Sequence, residues 1–146
     1  MHLHKKKVLF LCTGNSCRSQ MAEGWARYLK SDCVEAFSAG IEKHGLNPYA
    51  VRVMAEAGVD ITAQRSKHVD ELNIDFDYVV TVCAHAHESC PVFPGNAKVV
   101  HVAFADPPAL AAACETEEEK LNCFRTLRDQ IRDFIQTLPE ALNSYE

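Results

Sequence analysis

The apolar run Val8-Leu9-Phe10-Leu11 passes through Cys12-Thr13-Gly14-Asn15-Ser16-Cys17-Arg18-Ser19 straight into a helical pattern. An unbroken apolar run of this length reads as a strand covered on both faces, as in a parallel sheet. Met21, Ala22, Trp25, Ala26 and Leu29 then recur at helical spacing. A strand, a tight glycine-containing turn and a helix start bring successive backbone N–H groups together, and such a nest binds a tetrahedral oxyanion. The candidate oxyanion-binding residues are Thr13, Gly14, Asn15, Ser16, Cys17 and Arg18. Arg18 offers a permanent charge with two parallel donors. Thiols at helix N-termini and beside cations are held as thiolates, which makes Cys12 a candidate nucleophile toward the atom at the centre of a bound oxyanion. The competing reading is a structural cysteine, since buried cysteines are common in protein cores.

The same alternation continues along the chain and predicts one α/β domain spanning 1–146, a parallel sheet with helices on both faces. The expected elements are strands Lys7–Leu11, Val34–Ala39, Tyr78–Val82 and Lys98–Val102, with a first helix over Cys17–Lys30. Asn47-Pro48 supplies an N-cap and a first-turn proline for a second helix, whose inner face is Ala50, Val53, Met54 and Ala57 and which Gly58 ends. Leu121, Phe124, Leu127, Ile131, Phe134, Ile135 and Leu138 form the core stripe of a C-terminal helix, and Ala109–Glu119 reads as a solvated loop running into it. Ligands of open α/β sheets bind beyond the carboxyl ends of the strands. Cys12, Cys83 and Asp106 each follow a strand, so they should converge on one edge.

A net charge of −5 argues against nucleic acid as the main partner, because phosphate backbones call for basic surface. No apolar run approaches the ~20 residues that span a bilayer. The basic stretch Met1–Lys7 leads into strand 1 without the apolar region and small-residue exit of a signal peptide, so a cytoplasmic protein is expected. In that compartment the seven cysteines should be mostly reduced, which points to redox chemistry or metal binding. Phosphoester hydrolysis needs one thiolate. Reduction needs two electrons, usually from a pair of thiols becoming a disulfide. If strands 1 and 3 are neighbours, about 4.8 Å apart, Cys83 can close on Cys12 with modest movement. Two readings compete for Cys83-x-His85-x-His87-x2-Cys90: zinc ligation, although the spacing is not a common finger pattern, and plain structural cysteines. His85 and His87 taken singly read as solvated surface residues, Cys33, Cys114 and Cys123 as structural, and Cys17 as packing at the helix start.

The stretch from Cys12 to Trp25 resembles the thioredoxin-coupled arsenate reductases, which share the low-molecular-weight tyrosine phosphatase fold. The likeness extends through Phe37–Glu42, His44-Gly45, Asn47-Pro48, Val79–Cys83, Cys90-Pro91, Phe104-x-Asp106-Pro107 and Arg128-Asp129-x-Ile131. The C-x5-R loop alone would be shared with phosphatases; the Cys83 and Cys90 pair selects the reductase. The resemblance implies a four-stranded sheet of order 2-1-3-4. It further implies that Cys12 attacks arsenate held by the loop amides and Arg18, and that Asp106 protonates the departing hydroxyl. Cys83 then attacks the Cys12 sulfur to release arsenite, and Cys90 attacks Cys83 to give a disulfide that thioredoxin reduces. Ser19 would hydrogen-bond the Cys12 thiolate and Asn15 would brace the loop. No tightly bound cofactor or metal is implied; arsenate and thioredoxin are the expected partners of a monomer. In some reductases of this family counterparts of Asn15, Glu23 and Ser38, with an aspartate, hold a potassium ion; Lys67 stands at the fourth position here, a remnant of that cation site. The alternative function is a low-molecular-weight protein tyrosine phosphatase. Asp106-Pro107-Pro108-Ala109 lacks the aromatic residues with which that branch grips aryl phosphates.

Overall fold

A computed structural model describes residues 5–83, 97–105 and 107–143. Its central strand is β1 (Lys6–Cys12), in which Val8, Leu9, Phe10 and Leu11 are all fully buried. Successive strand side chains point to opposite faces, so four buried residues in a row mean that both faces are covered. β1 pairs in parallel with β2 (Val34–Gly40) on one side and β3 (Tyr78–Thr81) on the other, and β4 (Lys98–His101) adds in parallel to β3. The order β2-β1-β3-β4 is the one implied by the resemblance. Register sets Cys12 opposite Gly40 and Leu11 opposite Thr81, two residues before Cys83. The first and second thiols therefore leave adjacent strands at the same carboxyl edge.

Helix α1 (Arg18–Leu29) follows the loop, with Cys17 and Lys30 as its caps. Helix α2 (Pro48–Glu56) starts at Asn47, whose Oδ1 accepts from Tyr49 N at 2.8 Å and Ala50 N at 3.3 Å. A single 3-10 turn covers Val69–Glu71. The expected loop over Ala109–Glu119 is corrected. Pro107–Ala111 forms a short helix, α3, and α4 (Glu117–Ile135) begins inside the predicted loop. The missed signal is a capping box: Thr116 Oγ1 accepts from Glu119 N at 3.1 Å, and Thr116 N donates to the Glu119 carboxylate at 3.3 Å. The glutamates at 117–119 that read as solvated loop instead occupy the first helical turn, where the helix dipole favours negative charge.

Leu121, Phe124, Leu127, Ile131 and Ile135 turn inward from α4 against the sheet-bound helices. Phe124 stacks on Tyr49 of α2 at a centroid distance of 5.1 Å, and Trp25 Nε1 of α1 donates to Arg128 O at 3.0 Å. After a turn, α5 (Glu140–Asn143) buries Leu142 at the end of the described chain. None of the described helices is long and apolar enough to cross a membrane.

Candidate active site

Between β1 and α1 the backbone curls around a cavity of about 280 Å³ lined by Cys12, Thr13, Gly14, Ser16, Cys17, Arg18 and His44. The curl depends on two backbone conditions. Asn15 adopts φ 49°, the left-handed region that asparagine tolerates better than most residues. Gly40, at the end of β2, passes so close to the loop that a Cβ there would lie 2.4 Å from Glu42 O and 2.7 Å from both Asn15 N and Thr13 O. Further backbone bonds stitch the segment after β2 to the loop: Ile41 N to Cys12 O at 3.1 Å, Glu42 N to Thr13 O at 2.8 Å and His44 N to Gly14 O at 3.0 Å.

The buried side chain of Asn15 organises the site from beneath. Its Oδ1 accepts from Lys67 N at 2.8 Å and from Gln20 Nε2 at 3.0 Å, which fixes the amide with Nδ2 toward Ser19. Asn15 Nδ2 donates to Ser19 Oγ at 2.8 Å, and Ser19 Oγ lies 2.8 Å from Cys12 Sγ. With one lone pair taken by the amide, the Ser19 hydroxyl has its proton to give to the sulfur, the arrangement a thiolate needs. Gln20 also donates to Arg65 O at 2.9 Å, and Gln64 Nε2 donates to Gln20 Oε1 at 2.7 Å. The loop thus rests on a fully hydrogen-bonded polar layer, and no described buried side-chain polar atom lacks a partner.

Arg18, which lines the cavity, is held by a hydrogen bond from its Nη1 to Phe104 O at 3.2 Å. Cys83 is buried, and its sulfur lies 3.3 Å from Thr13 Oγ1. The structure therefore brings together Cys12, the loop residues 13–18, Ser19 and Cys83. Cys90 and Asp106 lie outside the described residues, as do His85 and His87. The six described cysteines are thiols, none joined in a disulfide.

The proposed cation-site remnant forms a second cluster under the loop. Ser38 Oγ donates to Glu23 Oε1 at 2.5 Å, Lys67 Nζ lies 3.7 Å from the same oxygen, and Arg27 Nε is 3.0 Å from Glu23 Oε2. Burial pushes the Lys67 ammonium below the usual lysine range, and Glu23 opposes that shift. Lys67 Nζ also donates to Arg65 O at 3.0 Å.

Sequence reasoning placed neither His44 nor Gly40 in the site. His44 lines the cavity, and its Nε2 meets Glu42 Oε2 at 2.9 Å. Both lie in stretches whose likeness to the family was noted, yet no local periodicity or spacing marks either as part of the site. Only the return of the chain after β2 places them there.

A strand–loop–helix oxyanion nest with a cysteine at its head and an arginine six residues on, beside a four-stranded parallel sheet, defines a cysteine-dependent phosphatase-type fold. The chain belongs to the low molecular weight phosphotyrosine protein phosphatase family, whose pattern matches residues 7–145. Its relatives include arsenate reductases. The arsenate reductase of Halalkalibacterium halodurans is 50% identical over 140 residues, covering 95% of this chain and 99% of the relative. That of Bacillus subtilis is 47% identical with the same coverage. Among solved structures, an arsenate reductase in the phosphate binding state matches with a TM-score of 0.72 at 33% identity, covering 91% of this chain and 95% of that one. One in the oxidized state matches with a TM-score of 0.75 at 31% identity and the same coverage.

Proposed function

We propose that this protein reduces arsenate to arsenite by a three-cysteine relay, with thioredoxin as the final reductant. Cys12 attacks arsenic in an arsenate held by the loop amides and Arg18; an As–O bond breaks, and Asp106 supplies the proton that lets the oxygen leave as water. The thiolate of Cys83 then attacks the Cys12 sulfur. A Cys12–Cys83 bond forms, the As–S bond breaks, and its electron pair stays on arsenic, which departs as arsenite. Cys90 attacks Cys83, restores the Cys12 thiolate and leaves a Cys83–Cys90 disulfide, to which thioredoxin delivers two electrons. The roles of Cys90 and Asp106 in this scheme come from the family resemblance.

The observation that carries the reading is the place of Cys83, with its sulfur 3.3 Å from Thr13 Oγ1 at the rim of the nucleophile's loop. Simple phosphoester hydrolysis has no use for a second thiol there. The relatives named as arsenate reductases favour the same choice. The test is turnover of arsenate by the purified protein with thioredoxin, thioredoxin reductase and NADPH. Arsenite formation matched to NADPH consumption supports the reading. Cleavage of aryl phosphates without arsenate-dependent NADPH consumption would assign the protein to the phosphatase branch instead.

A further inference from the structure

Away from the oxyanion loop, the structure brings together two cysteines that the relay does not use. Cys114 lies in the turn between α3 and α4, and Cys123 lies about two turns into α4. Their sulfurs are 3.7 Å apart, in van der Waals contact. A disulfide bond is about 2.05 Å long, so closure calls for side-chain rotation by less than 2 Å. The turn that carries Cys114 is tied down by Cys114 N to Ala111 O at 3.0 Å and by the Thr116–Glu119 capping box. Both thiols are only partly buried. Cys123 also lines a largely apolar cavity of about 350 Å³ together with Ala105, Pro107 and Leu110, which gives a small reagent a route to its sulfur.

We propose that Cys114 and Cys123 form a second dithiol site, separate from Cys12 and Cys83, that low-molecular-weight disulfides convert to an intrachain disulfide. The Cys123 thiolate attacks one sulfur of the reagent; the reagent S–S bond breaks, and one reagent thiol leaves with a proton. The Cys114 thiolate then attacks the Cys123 sulfur of the mixed disulfide. A Cys114–Cys123 bond forms and the second reagent thiol leaves, also protonated. Two electrons pass from the cysteine pair to the reagent, and the two cysteine protons end on the two reagent thiols. Burial, followed by Cys123 and Glu119, pushes the Cys114 thiol up; Cys123 lines the cavity and so meets the reagent first. The new bond would tie the α3–α4 turn to α4.

Trypsin provides a direct readout, because Lys120 lies between the two cysteines. Cleavage after Lys98, Lys120 and Arg125 places Cys114 in peptide 99–120 and Cys123 in peptide 121–125. The full-length protein is treated with excess oxidised glutathione, digested without reductant and analysed by mass spectrometry. The expected result is peptides 99–120 and 121–125 joined through their cysteines, with the same product from a Cys83→Ser variant. Cys114→Ser should instead hold a glutathione adduct on Cys123 while retaining its arsenate turnover. Unmodified peptides in the wild type, or stable adducts on both cysteines without the cross-link, would overturn the proposal.

Discussion

Cys83 Sγ lies 3.3 Å from Thr13 Oγ1, so a second thiol rests against the residue that follows Cys12. β1 and β3 are hydrogen-bonded neighbours, and the pairing of Leu11 with Thr81 delivers both cysteines to one edge. Cys83→Ser should therefore stop catalytic arsenate turnover while sparing aryl phosphate cleavage, whereas Cys12→Ser should abolish both. Steady-state assays with each substrate check this. Normal thioredoxin-dependent turnover by Cys83→Ser would remove Cys83 from the relay.

Ser19 Oγ lies 2.8 Å from Cys12 Sγ and accepts from Asn15 Nδ2, which leaves its own proton free to be given to a Cys12 thiolate. A hydrogen bond to a charged group contributes about 1.5–3 kcal/mol, so Ser19→Ala should slow turnover roughly 10- to 100-fold. Single-turnover kinetics at fixed pH measure the loss. A rate within twofold of the wild type would show that the Ser19 contact does not support the reacting thiolate.

The close approach at Gly40 predicts an intolerant position. A Cβ there meets three backbone atoms, none of which can swing aside as a side-chain tip would. Gly40→Ala should cost about 1–3 kcal/mol by overpacking and loosen the anion loop. Thermal unfolding and phosphate affinity are the measurements, and both should fall together.

Lys67 stands 3.7 Å from Glu23 with its ammonium already among the groups that would surround a bound cation. Activity is therefore expected to depend little on potassium. Kinetics in sodium and potassium salts at equal ionic strength check this, and a large potassium-specific fall in KM would refute it. Lys67→Asp should create such a dependence.

The pH dependence of stability has a defined contributor in Glu71. The backbone N–H of His68 first, then Arg65 and Lys43, hold its carboxylate at about 2 against an ordinary 4.5. A depressed carboxylate stabilises the folded state above its unfolded pKa and loses that contribution as pH falls through its folded value. Glu71→Gln should therefore lower the melting temperature near neutral pH, and the gap to wild type should close between about 4.5 and 2. Melting curves across that window decide it; a constant gap would show that the charge is not what matters.

Local pattern determined a good deal. Alternating apolar runs and helical stripes placed the parallel strands, and Asn47-Pro48 marked the start of α2, because N-caps and buried strands are written in adjacent residues. The nest from Cys12 to Ser19 was legible for the same reason: its donors are consecutive in the chain. The start of α4 was misjudged because its acidic first turn reads as solvated loop unless Thr116 and Glu119 are taken as a pair. The rest belongs to tertiary structure. That Asn15 Oδ1 is held by Lys67 N and that Gly40 must lack a side chain depend on where separate segments meet. Contacts of that kind follow from strand register and helix docking, which leave no local trace in the residues that make them.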